Sequence, residues 1–128
     1  MDLKPRYEAY IACLNARDLD GLDEFVSDTV IHNDSELGLR GYREMLAGDY
    51  RDIPDLRFFV ERLVCDAATV ASRLCFDCHP KAEFMGLPVD GRRVVFHENV
   101  FYRFAEGKIQ QVWSVIDKTG IERQLFDL

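Results

Sequence analysis

A carboxylate that follows the last predicted strand is the residue of this sequence best suited to chemistry. Asp117 comes directly after the mostly apolar run from Trp113 to Ile116. An acid in such a place is costly to bury unless it has a partner or a purpose. A carboxylate whose charge is disfavoured by burial becomes a better proton acceptor near neutral pH. The sequence therefore predicts a proton-transfer site with Asp117 as its acid or base.

Histidines and other polar side chains accompany this acid along the predicted strands. We interpret His79 as a hydrogen-bonding partner or proton relay, and His97 as a donor to a developing enolate. Six further residues are predicted to bind substrate: His32, Tyr42, Arg73, Asn99, Phe101 and Trp113. Purely structural roles are alternatives for these residues, such as a helix cap for Asp117 and a cross-strand salt bridge for Arg73.

The elements that must position these residues fall into two halves of the chain. Apolar residues at helical spacing, from Leu3 to Leu14, begin a helical half, and a further helix is predicted over about 41–51. A short strand at 29–33 lies between them. The second half alternates as strands do, and its strands are predicted at 56–65, 69–79, 93–104 and 108–117, with a loop at 80–92. This order predicts one α+β domain over 1–128, a cone-shaped barrel in which helices pack on a curved mixed or antiparallel sheet and close a cavity.

The register of the last hairpin decides which residues share the cavity wall. A two-residue turn at Glu106-Gly107 pairs Ala105 with Lys108 and places Glu98 on one face with Trp113 and Asp117. A three-residue loop pairs Phe104 with Lys108 instead. That second register places His97, Asn99 and Phe101 on one face with Gln111, Trp113 and Asp117. We favour the second register, because the first brings two acids together with no cation beside them.

An ordered series of short segments resembles the SnoaL-like polyketide cyclases, also called ester cyclases. The segments are Ile31-His32-Asn33, Pro54-Asp55-Leu56, Arg73, Cys78-His79, Phe84-Met85-Gly86-Leu87-Pro88, Gly91-Arg92, Tyr102-Arg103-Phe104, Gly107-Lys108-Ile109, Trp113, Asp117 and Gln124-Leu125. The resemblance implies the nuclear transport factor 2-like fold, a homodimer packed through the outer sheet face, and aldol ring closure without metal or cofactor. It also implies that the family's strand-end acid is Asp117 and its histidine His79.

The sequence departs from the family where Asp77-Cys78-His79 replaces a frequent Gly-Thr-His, and where one residue is added between His79 and Phe84. Positions 97–99 vary in the family, so the resemblance assigns no role to His97 or Asn99. These departures leave the substrate open. Isomerisation, dehydration or hydrolysis of another small hydrophobic molecule in the same cavity is one alternative function. A non-enzymatic, dimeric ligand-binding module is another.

Composition limits the partners. The net charge of −7 argues against nucleic acid, and no apolar run reaches the ~20 residues that a bilayer requires. No secretory signal is recognised, so we expect a cytoplasmic protein that binds a small hydrophobic, polyketide-like ligand. The three histidines lack metal-ligand spacing, and Cys75 and Cys78 point to opposite faces of a strand. We therefore expect neither a metal nor a cofactor.

Overall fold

The computed structural model describes residues 2–126, so Met1, Asp127 and Leu128 of the predicted 1–128 domain lie outside the described residues. The elements in chain order are α1 (Leu3–Asn15), β1 (Val26–His32), α2 (Gly38–Asp52), β2 (Phe59–Cys65), β3 (Thr69–Cys78), β4 (Glu83–Phe84), β5 (Leu87–Pro88), β6 (Val94–Ala105), β7 (Lys108–Ile116) and α3 (Lys118–Phe126). A single 3₁₀ turn spans Leu22–Glu24, between α1 and β1. The predicted α+β class is confirmed.

The main sheet is mixed and has five strands in the order β1-β7-β6-β3-β2. Strand β1 runs parallel to β7, and the other neighbours are antiparallel. The sheet does not close, because β1 and β2 remain as its edges, yet the cone-shaped arrangement of helices on a curved sheet is retained. The described residues contain no helix that is both long and apolar enough to cross a membrane.

Helix α1 forms where the apolar stripe predicts it. Asp2 caps its first turn by accepting a hydrogen bond from the Lys4 amide at 3.1 Å. The buried residues of the helix are Leu3, Tyr7, Tyr10, Ile11, Cys13 and Leu14, which form the stripe that packs on the sheet. The driving force is the burial of this apolar face, which fixes one side of the core.

The β6–β7 hairpin corrects the favoured register. Ala105 pairs with Lys108, so the turn has two residues, and both Glu106 and Gly107 have positive φ (53° and 79°). The register then shifts, because Phe104 pairs with Ile109 whereas Arg103 pairs with Gln111, which leaves Gln110 as a bulge. The predicted pairing of Phe104 with Lys108 is therefore wrong.

The bulge nevertheless produces the predicted sharing of faces. His97, Asn99 and Phe101 lie on one face with Trp113, and Phe101 is directly opposite Trp113. This face is the outer one: the exposed fraction of Phe101 is 56% and that of Trp113 is 38%. The shared face predicted as a cavity wall is thus turned away from the core.

The connection predicted as a loop over 80–92 contains the two-stranded hairpin β4–β5. It turns at Met85-Gly86, where both residues have positive φ. The Asp90 amide donates to the Ala82 carbonyl at 2.9 Å and closes the base of the hairpin, and the Lys81 amide donates to the Asp52 carbonyl at 2.9 Å and ties that base to the end of α2. The hairpin thereby places Phe84 over the end of the core.

Candidate active site

The side chains of strand β6 alternate between the two faces of the sheet. Its inward residues are Val94, Phe96, Glu98, Val100, Tyr102 and Phe104, all apolar or aromatic except one. The exception is Glu98. An acid in the apolar phase of a strand places a charge on the side that the hydrophobic pattern assigns to the core.

Glu98 faces a cavity of about 70 Å³ on the concave side of the sheet. Its lining is Asp49, Ile53, Leu56, Phe58, Phe76, Phe84, Phe96, Glu98 and Ile116. Four phenyl rings stand in series along it: the Phe58–Phe76, Phe76–Phe96 and Phe84–Phe96 centroids are 5.3, 5.1 and 5.2 Å apart. The cavity therefore combines an aromatic wall with two carboxylates.

A larger hollow of about 550 Å³ lies outside the core, between α1 and β2. Its charged residues Glu8 and Arg57 are exposed. Solvated charges of this kind are not shielded from water, so the hollow is a weaker candidate for proton-transfer chemistry.

Glu98 is held between apolar neighbours. Its cross-strand partners are Leu74 on β3 and Ile116 on β7. Its one side-chain partner among the described residues is Ser114, whose hydroxyl donates to Glu98 Oε2. Burial raises the pKa of Glu98, and the hydrogen bond from Ser114 opposes that effect by stabilising the anion.

Asp49 reaches the same cavity from helix α2. Burial raises the pKa of Asp49 to about 6, and the negative charges of Glu98 and Asp52 add to the effect. Two carboxylates in one poorly solvated cavity disfavour each other's ionisation, so their protons leave in separate steps. A pair of this kind can supply an acid and a base at the same pH.

Tyrosines fill the core beside the cavity. Tyr7 donates to Ser72 Oγ at 2.8 Å, and the hydroxyls of Tyr10 and Tyr42 are 2.7 Å apart. His32 stands edge-on to Tyr42 with 6.2 Å between ring centroids, and burial lowers the pKa of the histidine. The structure thus brings the predicted pair His32 and Tyr42 together in the interior, although neither lines the cavity of Glu98.

The predicted residues Arg73, His97 and Asn99 lie together on the outer face. Arg73 Nε is 3.1 Å from Glu61 Oε1, and its NH1 donates to Asn99 at 3.0 Å. His97 Nε2 is 2.8 Å from Glu61 Oε2. These bonds hold the pKa of Glu61 below its usual range, the one from His97 contributing most. The group is a surface network on the convex side, opposite the cavity.

Asp117 and His79 also lie away from the cavity. The Asp117 side chain is exposed and accepts a bond from the Gly120 amide at 3.0 Å, as an N-terminal cap of α3 does. His79 is exposed, with Nδ1 2.8 Å from Asp55 Oδ2. The expected placement of Asp117 at the rim of the hollow is therefore not observed, because the chain turns into α3 directly after β7.

Sequence reasoning set Glu98 aside together with the register that it did not favour, and it did not consider Asp49. The same signal marks both. Glu98 interrupts the inward series of β6. Asp49 interrupts an apolar series at spacings of three and four, which consists of Leu39, Tyr42 and Leu46 of α2 and of Ile53 directly after the helix. An acid that replaces an apolar residue in an otherwise regular periodic pattern can be recognised from the sequence alone.

Comparison with known proteins identifies the family. The sequence profile of the SnoaL-like polyketide cyclases matches residues 4–125. This chain belongs to the SnoaL-like polyketide cyclase family. Among curated proteins, none matches the chain.

Solved structures support the same assignment. A SnoaL-like polyketide cyclase from Agrobacterium tumefaciens is 56% identical, with 98% of each chain covered and a TM-score of 0.96. AclR from Streptomyces galilaeus, a candidate hydroxylase, is 28% identical over 98% of this chain and 96% of its own, with a TM-score of 0.78. TsrD from Streptomyces laurentii is 24% identical, covers 100% of this chain and 99% of its own, and shares the fold with a TM-score of 0.85.

Proposed function

We propose that this protein is a cofactor-independent acid–base enzyme that closes a ring in a small hydrophobic carbonyl compound by an aldol-type reaction. The observation that carries the proposal is the pair of carboxylates, Glu98 and Asp49, in one aromatic cavity. Both have raised pKa values. Membership of the polyketide cyclase family supports a carbonyl substrate.

The surroundings of the two acids suggest different roles. The hydroxyl of Ser114 favours the ionised form of Glu98, and that negative charge in turn favours the protonated form of Asp49. Glu98 is therefore the base, and Asp49 is the acid. This division follows the rule that paired carboxylates take opposite roles when their environments separate their pKa values.

The reaction then needs no further group. Glu98 removes a proton from the carbon next to a carbonyl, and the electron pair forms an enolate. The enolate carbon attacks a second carbonyl of the same molecule, and the new alkoxide takes a proton from Asp49. Glu98 has gained one proton and Asp49 has lost one, so transfer of a proton from Glu98 to Asp49 restores the starting state. The phenyl wall excludes water and provides flat surfaces for a conjugated substrate.

The cavity must enlarge to admit such a substrate. Its volume of about 70 Å³ is small beside the ~300–1,000 Å³ of ordinary ligand pockets. The β4–β5 hairpin is the part best placed to move, because it has only two residues per strand and contributes Phe84 to the lining. We propose that this hairpin swings outward on binding.

Glu98→Gln tests the proposal. The variant keeps the shape of the side chain and removes the base, so turnover of a β-keto ester that the wild type cyclises should fall by about 10²–10⁴-fold. Asp77→Asn is the matched control, since Asp77 is an outer-face acid bonded to Arg93. Wild-type turnover by Glu98→Gln, with thermal unfolding unchanged, would refute the role of Glu98.

A different reaction in the same cavity is the second candidate, since the candidate hydroxylase AclR is 28% identical to this chain. Isomerisation, dehydration and hydrolysis need the same acid and base. Mass spectrometry of products from β-keto esters, enones and epoxides separates these reactions. Ligand binding without turnover of any of them would favour a non-enzymatic binding module.

We also propose that the protein forms a homodimer through the outer sheet face. A cross-strand row on that face, Val64, Ala71, Phe101 and Trp113, is mostly apolar, and Val64 and Phe101 are 63% and 56% exposed. Contiguous exposed apolar surface of this kind is typical of an interface. Phe101→Ser combined with Trp113→Ser should shift sedimentation from dimer to monomer, and a wild type that sediments as a monomer would refute the proposal.

A further inference from the structure

Three potential metal ligands meet on the outer face of the sheet. Glu61 of β2, Cys75 of β3 and His97 of β6 each offer one ligand atom, and these atoms all lie within 4.8 Å of one another. Cys75 and His97 are directly opposite each other across β3 and β6. The three residues come from three adjacent strands, so the sheet itself holds their backbones in place.

A bulge in β2 explains how Glu61 reaches the other two. Val60 pairs with Leu74 and Arg62 with Arg73, which leaves Glu61 as an extra residue in its strand. Bulges change the direction of a side chain relative to the regular pleat. Glu61 is thereby close to His97, with 2.8 Å between Oε2 and Nε2.

We propose that Glu61, Cys75 and His97 form a binding site for a zinc ion, with water in the fourth position. Thiolate, imidazole and carboxylate together are a ligand set that zinc accepts in tetrahedral geometry. Zinc–ligand bonds of ~2.0–2.3 Å place neighbouring ligand atoms ~3.3–3.8 Å apart. Side-chain shifts of about 1 Å therefore bring these atoms from their present spacing to that of a zinc site.

The hydrogen bonds around the cluster are compatible with metal binding. An ionised carboxylate only accepts, so the hydrogen between Glu61 and His97 is on His97 Nε2 in the metal-free protein. Zinc takes the place of that hydrogen, which passes to His97 Nδ1 as the ring changes tautomer, and of the Cys75 thiol proton, which passes to solvent. Arg73 bonds Glu61 through the other oxygen, Oε1, and so orients the carboxylate as outer partners of metal ligands do.

The site is distinct from both surfaces already proposed. His97 precedes Glu98 in β6, so the zinc site and the cavity lie on opposite sides of the same strand. On the outer face, the row of Cys75 and His97 is separated from the apolar row of Phe101 by the row of Arg73 and Asn99. This inference differs from the expectation from sequence, which considered the spacing of the histidines along the chain and not their cross-strand neighbours.

Metal titration tests the proposal. The full-length protein, stripped of metal with a chelator, is titrated with Zn²⁺ against a chromophoric competitor, and with Co²⁺ as a spectroscopic substitute. We expect one ion per chain and a near-ultraviolet charge-transfer band from thiolate to Co²⁺. Cys75→Ser should abolish that band, and Cys75→Ser, His97→Gln and Glu61→Gln should each weaken Zn²⁺ binding by at least about tenfold.

Cys65→Ser is the matched control, because Cys65 is a half-buried thiol on the same strand as Glu61 but outside the cluster. It should retain wild-type affinity and the cobalt band. Thermal unfolding without metal verifies that each variant is folded. The proposal is overturned if the wild type binds Zn²⁺ no more tightly than Cys75→Ser does, or if the band disappears in Cys65→Ser and persists in Cys75→Ser.

Discussion

Carboxyl groups on the two faces of the sheet have pKa values that are shifted in opposite directions. On the outer face, Glu61 and Asp77 bond to basic side chains, and these bonds lower both pKa values. Inside the cone, Glu98 and Asp49 form no ion pair among residues 2–126, and burial raises their pKa values. The same functional group thus has a lowered pKa on one side of the sheet and a raised pKa on the other.

The difference shows which feature identifies a reactive acid in this fold. The number of polar neighbours does not identify such an acid, because the outer cluster around Arg73 and His97 is richer in polar contacts than the surroundings of Glu98. A buried position without a neighbouring cation does, since burial and nearby negative charge both raise the pKa of a carboxyl group. The three predictions below test this contrast by altering one acid at a time.

Asp49→Asn should have the largest effect on stability. The folded-state pKa of Asp49 is about 6 and its ordinary value is 3.8, so the folded protein binds more protons than the unfolded chain between those values. The wild type therefore loses stability as pH rises through this window, by at most about 3 kcal/mol. The free energy of unfolding of Asp49→Asn should exceed that of wild type above pH 6.

Denaturant titrations of both proteins at several pH values provide the measurement. The difference between variant and wild type reports Asp49 together with its coupling to Glu98 and Asp52, because the more distant titrating groups are common to both proteins. We expect the difference to grow from pH 4 to pH 6 and then to level off. A difference that is constant across this range would show that Asp49 is solvated like an outer-face acid.

Asp117→Ala should have an intermediate effect. Loss of the bond to the Gly120 amide removes the cap of α3 and should lower the free energy of unfolding by about 1 kcal/mol. Asp117→Asn retains a capping oxygen and should be close to wild type. Urea unfolding measures both variants, and ring-closing activity is measured beside it. Activity lost in Asp117→Asn but kept in Glu98→Gln would reverse our assignment of the base.

Asp77→Asn should have the smallest effect. Its two bonds to Arg93, 2.8 and 2.7 Å long, join exposed side chains. Solvent and salt screen such pairs strongly. At physiological ionic strength we expect no resolvable change in the midpoint of thermal unfolding. A large loss of stability would mean that the outer face is less solvated than described.

Much of the fold is predictable from the sequence because periodicity determines it. The apolar stripe of α1 and the alternation of β3 and β6 each predict an element within one or two residues of its observed bounds. The short hairpin β4–β5 is not predictable in this way, because strands of two residues contain no period. Helix α2 begins at Gly38, earlier than predicted. The glycines Gly38 and Gly41 weaken the helical signal of its first turn.

The candidate site is harder to predict, because one bulge changes the orientation of every residue beyond it. Both registers considered for the last hairpin confined any irregularity to the turn and assumed regular pairing beyond it, whereas the structure combines the turn of one with the face sharing of the other. We also preferred the face that had varied polar groups over the face that continued the apolar series. The burial pattern of β6 favours the face that continues the apolar series, and Glu98 lies on that face.

Gln110 therefore has an influence far greater than its own contacts suggest. It adds one position to β7, and if it were paired as a regular residue of the ladder, each later residue of that strand would turn to the opposite face of the sheet. Ser114 would then be opposite Asn99 on the outer face, while Trp113 would be opposite Val100 in the core. The unpaired position of one amide-bearing residue thus decides which of these two side chains stands inside the sheet.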